Sequence, residues 1–175
     1  MKFILTTERL SLRYFNPEKD AEAMYLLNSN PNVMRYTGDT PFASVDASYA
    51  FLCAYNDYEK YGFGRFAIDL NTTGETIGWC GLKYHERGNF VDLGYRLFEE
   101  HWNKGYATEA SIASLNCGFD ALNLDEIVAR TSALNTSSIR VIEKLGFTES
   151  FTFSKDQVCD RIFLLSKAVH HSNRL

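Results

Sequence analysis

Val91-Asp-Leu-Gly-Tyr-Arg-Leu-Phe-Glu-Glu-His-Trp-Asn-Lys-Gly-Tyr-Ala-Thr-Glu-Ala110 is the most informative stretch of this 175-residue chain. It begins as a strand, and alternation places Asp92, Gly94 and Arg96 on one face and Leu93, Tyr95 and Leu97 on the other. It ends by opening a helix, predicted over 108–122, whose Ile112, Leu115, Phe119 and Leu122 share one side. Between the two lies a short loop containing Asn103 and Gly105, residue types that tolerate positive φ. Such a loop can turn successive backbone N–H groups toward one point. The helix N-terminus adds unpaired N–H groups and the positive end of its dipole. Lys104 supplies a charge and Thr108 a hydroxyl. The segment suits a phosphate or pyrophosphate, and it equally describes an ordinary tight strand-to-helix turn. Neither G-x-x-x-x-G-K-[ST] nor G-x-G-x-x-G is present.

Outward from this stretch, Leu10-Ser-Leu-Arg-Tyr14 alternates as a half-buried strand. Asn16-Pro17 reads as an N-cap with proline at the first helical position, and Glu18 and Asp20 favour the dipole of a helix reaching about Leu27. Ser44 caps a second helix predicted to run to about Tyr61. Strands over 63–70 and 76–84, joined by Asn71-Thr-Thr-Gly74, form a hairpin that continues into the strand over 90–98. A strand over 126–131, a helix over 137–145 and a hairpin of 147–153 with 158–165 follow. Gly146 falls where a left-handed C′ residue is wanted, with Phe147 set to contact Ile142. The order β-α-α-β-β-β-α-β-α-β-β implies an α/β sheet with both parallel and antiparallel neighbours, in one continuous domain over 1–175.

Composition narrows the function. Hydrophobic residues are 45% and charged residues 23%, enough apolar content for a buried core. A net charge of −4 argues against non-specific binding to nucleic acid. No run of about 18 apolar residues occurs, which excludes a membrane-spanning helix. The apolar stretch of MKFILTTERL is too short for a signal peptide, so a cytoplasmic location is expected. Cys53, Cys80, Cys117 and Cys159 make no C-x-x-C pair, and no histidine lies in metal-ligand spacing with them. Buried free thiols and no metal are expected.

A second segment, Asn135-Thr-Ser-Ser-Ile-Arg-Val-Ile-Glu-Lys-Leu-Gly-Phe147, places Asn135 between a strand and a helix. Asn135 reads as an N-cap, with Ser138 sharing the capping, and neither side chain requires a ligand for that role.

Together the segments resemble the GNAT superfamily of acyl-CoA-dependent N-acetyltransferases, most closely the branch that includes the ribosomal-protein N-terminal acetyltransferases. Thr7-Glu-Arg-Leu-Ser-Leu-Arg13 matches the start of that branch and Gly74-Glu-Thr-Ile-Gly78 its central hairpin. Trp102-Asn-Lys-Gly-Tyr-Ala-Thr-Glu-Ala110 matches the pyrophosphate loop. Asn135-x-x-Ser138 with Glu143-Lys-Leu-Gly-Phe147 matches the second cofactor segment.

The resemblance implies a mostly antiparallel mixed sheet of about seven strands, splayed at its centre, with about four helices. It implies acetyl-CoA lying between the diverging strands 90–98 and 126–131. Pantetheine would run along Tyr95, Leu97 and Phe98, and a backbone N–H near Tyr95 or Leu97 would polarise the thioester carbonyl. Trp102, Asn103, Lys104, Gly105, Tyr106, Ala107 and Thr108 would hold the pyrophosphate. Asn135 and Ser138 would approach the thiol end, and Arg140 or Lys144 would reach the phosphates or remain solvated helix charges.

Two departures stand out. Asn103 replaces a glycine common in relatives. Ile142 occupies the position where many superfamily members carry the tyrosine that protonates the leaving thiolate, and the branch resemblance moves that role to Ser138. Asp92 could deprotonate the amine through water, with Glu86, His85 and His101 as other candidates, and each of the four equally reads as an exposed surface residue without a catalytic role. A strong base is dispensable if the acceptor is an α-amine. Its pKa of about 8 leaves roughly a tenth free near neutral pH, whereas lysine, at about 10.4, is free at less than about one part in a thousand.

The expected partners are thus acetyl-CoA and an amine, foremost a protein N-terminus. A polyamine, amino acid or antibiotic acceptor, and a non-catalytic acyl-CoA sensor, are the competing readings. The acceptor is expected between the segment 28–42 with the second helix and the final hairpin, with Phe42, Tyr49, Phe151 and Phe153 as lining or as core. The chain is expected to be a monomer or a homodimer.

Overall fold

The computed structural model describes residues 5–155 and 158–173, with the backbone alone over 151–159. Its strands are β1 (Leu5–Thr6), β2 (Leu10–Arg13), β3 (Arg65–Leu70), β4 (Thr76–His85), β5 (Phe90–Leu97), β6 (Glu126–Ser132), β7 (Thr148–Lys155) and β8 (Val158–Ser166). They form one eight-stranded sheet in the order β1-β2-β3-β4-β5-β6-β8-β7. Every neighbouring pair is antiparallel except β5 and β6, which run parallel. The mixed α/β class matches the sequence reading. The added strand is β1, too short to show a periodicity.

Helices α1 (Pro17–Ser29), α2 (Pro31–Met34) and α3 (Val45–Ala54) bury Met24, Leu27, Val33 and Leu52 against Trp79 and Phe98 on one side of the sheet. Helices α5 (Tyr106–Asn116) and α6 (Thr136–Lys144) pack on the other side. There Leu115, Phe119, Ile139 and Ile142 join Leu10, Leu12, Ile68 and Cys80 in the main core. The short α4 (Asp57–Tyr61) and the terminal α7 (Lys167–Ser172) complete the described helices.

Local signals explain most element ends. Asn16 accepts from the N–H groups of Glu18 and Lys19 ahead of Pro17. Gly146 adopts φ +87°, and Phe147 N–H reaches Ile142 O at 3.3 Å while Gly146 N–H reaches Glu143 O at 3.0 Å, the Schellman arrangement. Three expectations give way. The helix from Ser44 breaks at extended Tyr55, whose hydroxyl accepts from Arg65 N–H at 2.7 Å. The helix after the loop begins at Tyr106 and widens into a π turn over Cys117–Ala121. There a Cβ on Gly118 would lie 2.8 Å from Leu82 and Ile127 side chains, so the helix presses directly on the sheet. Cys53 is exposed, although Cys80 is buried.

The hairpin of β3 and β4 carries a bulge. Ile68 pairs with Gly78 and Asp69 with Thr76, leaving Ile77 as the extra residue. The bulge lets Ile77 and Cys80 share the core side. Gly78, at φ +147°, sits where a Cβ would strike the carbonyl of Arg96 on β5.

Candidate active site

Strands β5 and β6 pair at only two positions, Asp92 with Val128 and Leu93 with Ala129. Beyond them β5 stays with β4 as far as Leu97, and β6 stays with β8 as far as Ser132. Each strand is held on its outer edge by an antiparallel neighbour, so a groove opens between 94–97 and 130–132. Phe98 N–H bonds to Ile77 O at 3.0 Å on the β4 side. Strand amides alternate sides, so those of Tyr95 and Leu97 face the groove. Leu97 O accepts from the Trp102 indole at 2.9 Å. Phe98 itself packs with the α1 cluster and has its N–H engaged on the β4 side.

At the far end of the groove the chain turns through Asn103 at φ +59° and Gly105 at φ +82° and enters α5 at Tyr106. No side chain caps this helix, so its first N–H groups remain available to an anion. Trp102, Asn103, Lys104 and Gly105 are exposed, while Tyr106, Ala107 and Thr108 are half-buried in the first turn. A tolerated left-handed asparagine explains why the loop forms without a glycine at 103.

On the β6 side, Asn135 Oδ1 accepts from Ser138 N–H at 3.1 Å and caps α6, as its sequence position implied. Tyr95 reaches across, and its hydroxyl donates to Ser138 Oγ at 3.1 Å. Burial pushes the Tyr95 phenol up to about 12, against a smaller opposing effect of Ser138. Tyr95 therefore remains a proton donor throughout the neutral range. Sequence reasoning assigned Tyr95 only a backbone role; strand alternation puts its side chain on the α6 face, but nothing local reveals the contact. Arg140 and Lys144 are exposed on α6.

The opposite face of β5 is built differently. The Arg65 guanidinium lies across Gly81 and Gly94, where a Cβ on Gly94 would be 2.7 Å from Arg65 Nη2. It donates to the carbonyls of Gly81 and Asp92 and, at 2.7 Å, to Asp92 Oδ1. His85 Nε2 stands 3.2 Å from the same carboxylate, and Arg130 Nη2 3.6 Å from its other oxygen. Burial alone would raise the Asp92 pKa, but Arg65, His85 and Arg130 outweigh it and hold it at about 2.

Arg96 ties this face to the α1–α2 region through Asn28 Oδ1 at 2.5 Å and Asp39 Oδ2 at 2.6 Å, and Trp79 lies between Arg65 and Arg96. Asp92 and Ser138 thus lie on opposite faces of one strand and do not meet. Of the alternative bases, Glu86 is exposed and engaged by Lys60 and Tyr61. His101 is buried next to the loop of residues 102–105, 3.6 Å from Glu75.

Phe42 packs with the α1 cluster and Tyr49 is exposed, bonded to Glu18 at 2.8 Å. The side chains of Phe151 and Phe153 lie outside the described residues. Two open hollows, of about 310 Å³ beside His85 and about 470 Å³ beside Glu22, lie outside the groove, which is defined by strand divergence. Among the described residues no group of His, Cys, Asp and Glu is placed to hold a metal, and no helix is long and apolar enough to cross a membrane.

A central parallel pair that splays, followed by an uncapped helix behind a left-handed loop, is the arrangement that the resemblance to acyl-CoA-dependent transferases implied. The chain belongs to the GNAT acetyltransferase family, whose domain model matches residues 9–148. It is 37% identical over 145 residues to p20 of Bacillus licheniformis, described as an uncharacterized N-acetyltransferase; the match covers 82% of this chain and 81% of the relative. The fold matches a GNAT-family acetyltransferase of Bacillus anthracis with a TM-score of 0.82 at 25% identity, over 95% of this chain and 99% of the other. It also matches the ribosomal-protein-S5-alanine acetyltransferase of Vibrio fischeri, with a TM-score of 0.81 at 18% identity, over 94% and 97% of the two chains; this shows shared fold alone. The protein is an N-acetyltransferase, and acetyl-CoA is its acetyl donor.

Proposed function

We propose that this protein acetylates the α-amine of a protein or peptide N-terminus, by direct attack on acetyl-CoA in a ternary complex. Acetyl-CoA supplies the activated acyl carbon and a thiolate leaving group. The chain supplies position, polarisation and one proton. The groove-facing amides of Tyr95 and Leu97 align the pantetheine arm, and one of them polarises the thioester oxygen. Residues 102–108 bind the pyrophosphate through the left-handed loop and the uncapped start of α5. Asn135 shapes the turn into α6 and fixes Ser138. The Ser138 hydroxyl, hydrogen-bonded by the Tyr95 phenol, passes a proton to the departing thiolate, and the proton that the nitrogen loses on forming the amide goes to solvent water, from which the Ser138–Tyr95 pair is reprotonated.

The observation that carries the choice of acceptor is the state of Asp92. A carboxylate held at about 2 by Arg65 is a feeble base near neutral pH. The sequence expectation of a base at Asp92 therefore becomes a structural role, a carboxylate whose charge is offset by Arg65 and Arg130 and which holds this face of the strand together. A site without a strong base suits an α-amine, of which roughly a tenth is already free near neutral pH, better than a lysine. Positioning against the thioester then supplies much of the rate. The shared fold with a ribosomal-protein-alanine acetyltransferase is in keeping with this reading.

The test is acetyl-CoA consumption with mass detection across free-N-terminal peptides, the same peptides N-blocked with a free lysine, polyamines, amino acids and aminoglycosides. Acetylation of free N-termini alone is expected. Acetylation of small amines alone would replace the protein acceptor with a metabolite or antibiotic. Tight acetyl-CoA binding without any acetylated product would overturn the N-terminal acceptor.

A further inference from the structure

The loop of residues 102–106 contains two left-handed residues and so needs something to hold it in one shape. Part of the support is local, from the Trp102 indole on Leu97 O. The rest comes from the other end of the chain. Arg9, in the turn between β1 and β2, donates from Nη1 to Lys104 O at 2.9 Å and from Nε to Glu109 Oε2 at 2.6 Å. Its guanidinium lies 4.6 Å from the centre of the Tyr106 ring. Thr7 donates its hydroxyl to Glu109 Oε1 at 2.6 Å, and Arg9 N–H donates to the same oxygen at 2.9 Å. The β1–β2 turn thus grips both the loop and the first turn of α5.

Lys104 O and Gly105 N–H belong to one trans peptide plane, so they point in opposite directions. A guanidinium that fixes the carbonyl on one side therefore fixes where the Gly105 N–H points on the other. Glu109 is an acid in the first turn of a helix whose N-terminus is to receive an anion. Its contact with Arg9 offsets a charge that would repel a phosphate.

We propose that Arg9 is a positioning residue for the cofactor, acting through Glu109 and the Lys104 carbonyl to keep the pyrophosphate loop in its anion-binding shape. The proposal rests on the acetyl-CoA reading of the groove and goes beyond it by making the β1–β2 turn part of the cofactor site. It predicts an effect confined to donors that carry the pyrophosphate.

The test compares acetyl-CoA with S-acetylpantetheine, which has the same thioester but no pyrophosphate. In Arg9→Gln, the dissociation constant for CoA by calorimetry and the KM for acetyl-CoA should rise about tenfold, with kcat at saturation unchanged. The kcat/KM for S-acetylpantetheine should stay within twofold. Arg9→Lys keeps the charge but cannot form the fork to both oxygens, so it should recover only part of the loss. Thr7→Val, which removes one bond to Glu109 and no charge, should give a smaller shift in the same direction. Equal losses with both donors, unchanged CoA affinity in Arg9→Gln, or full recovery by lysine would each overturn the proposal. If the unsubstituted protein bound no CoA, the acetyl-CoA reading itself would fail, a result seen before any variant is made.

Discussion

The two faces of β5 do different work with different materials. On the Tyr95–Leu97 side, the groove is mainly backbone: outward-facing amides, a turn through two positive-φ residues, and a helix start without a side-chain cap. On the Asp92–Arg96 side, the surface is mainly side chain: Arg65 from β3 and Arg130 from β6 face the Asp92 carboxylate, Arg96 from β5 pairs with Asp39, and the Trp79 ring from β4 contacts both Arg65 and Arg96. A backbone site depends on conformation and tolerates changes of side chain that keep it. A side-chain site depends on charge balance, and losing one partner strands another.

The largest break in this comparison should come from the charged face. Asp92→Asn leaves Arg65 buried without its counter-charge and should lower the unfolding free energy by about 2–4 kcal/mol in urea titrations. The folded-state pKa of Asp92 lies below its unfolded value. Its stabilisation is therefore present above about pH 4 and disappears as the pH falls toward about 2. The variant should lack that acid-side decline, and a variant as stable and as acid-sensitive as the parent would show that the Arg65 pair contributes nothing.

Smaller, and on the other face, Ser138→Ala should reduce kcat by about 10–100-fold while leaving the KM for acetyl-CoA within twofold. An equal rise in KM would make Ser138 a binding residue instead. Gly105→Ala places a Cβ at φ +82° and should cost about 1 kcal/mol, read as a severalfold rise in the acetyl-CoA KM. Smallest of all, Asn103→Gly should change affinity by only a few tenths of a kcal/mol, because glycine adopts the same left-handed conformation. A large effect there would mean that the asparagine side chain, and not its backbone, matters to the cofactor.

The same contrast explains what could be read beforehand. Asn16-Pro17, Asn135 and the pair Gly146-Phe147 act within a few residues of themselves, and the structure uses each as a local signal predicts. Asp20 shows the limit. It reads as a helix-dipole acid, yet it is fully buried and paired with Arg13, which also holds Asp69 on β3. The β4 bulge at Ile77 was hidden because a one-residue slip changes a hairpin's register without changing its composition. Terminal α7 was missed for another reason: its six residues are too few for a helical period to emerge.

By itself the sequence determined the order of most elements, the left-handed loop before α5, the two segments 102–110 and 135–147 and the family they resemble. All of these rest on conformational preferences and spacings that neighbouring residues settle among themselves. Only the tertiary structure decided how far β5 and β6 stay together, that Tyr95 meets Ser138, that Asp92 is neutralised by Arg65, and that Arg9 holds a loop nearly a hundred positions away. Those facts depend on strand register and on the burial of charge among distant segments, and neither quantity exists until the chain has closed on itself.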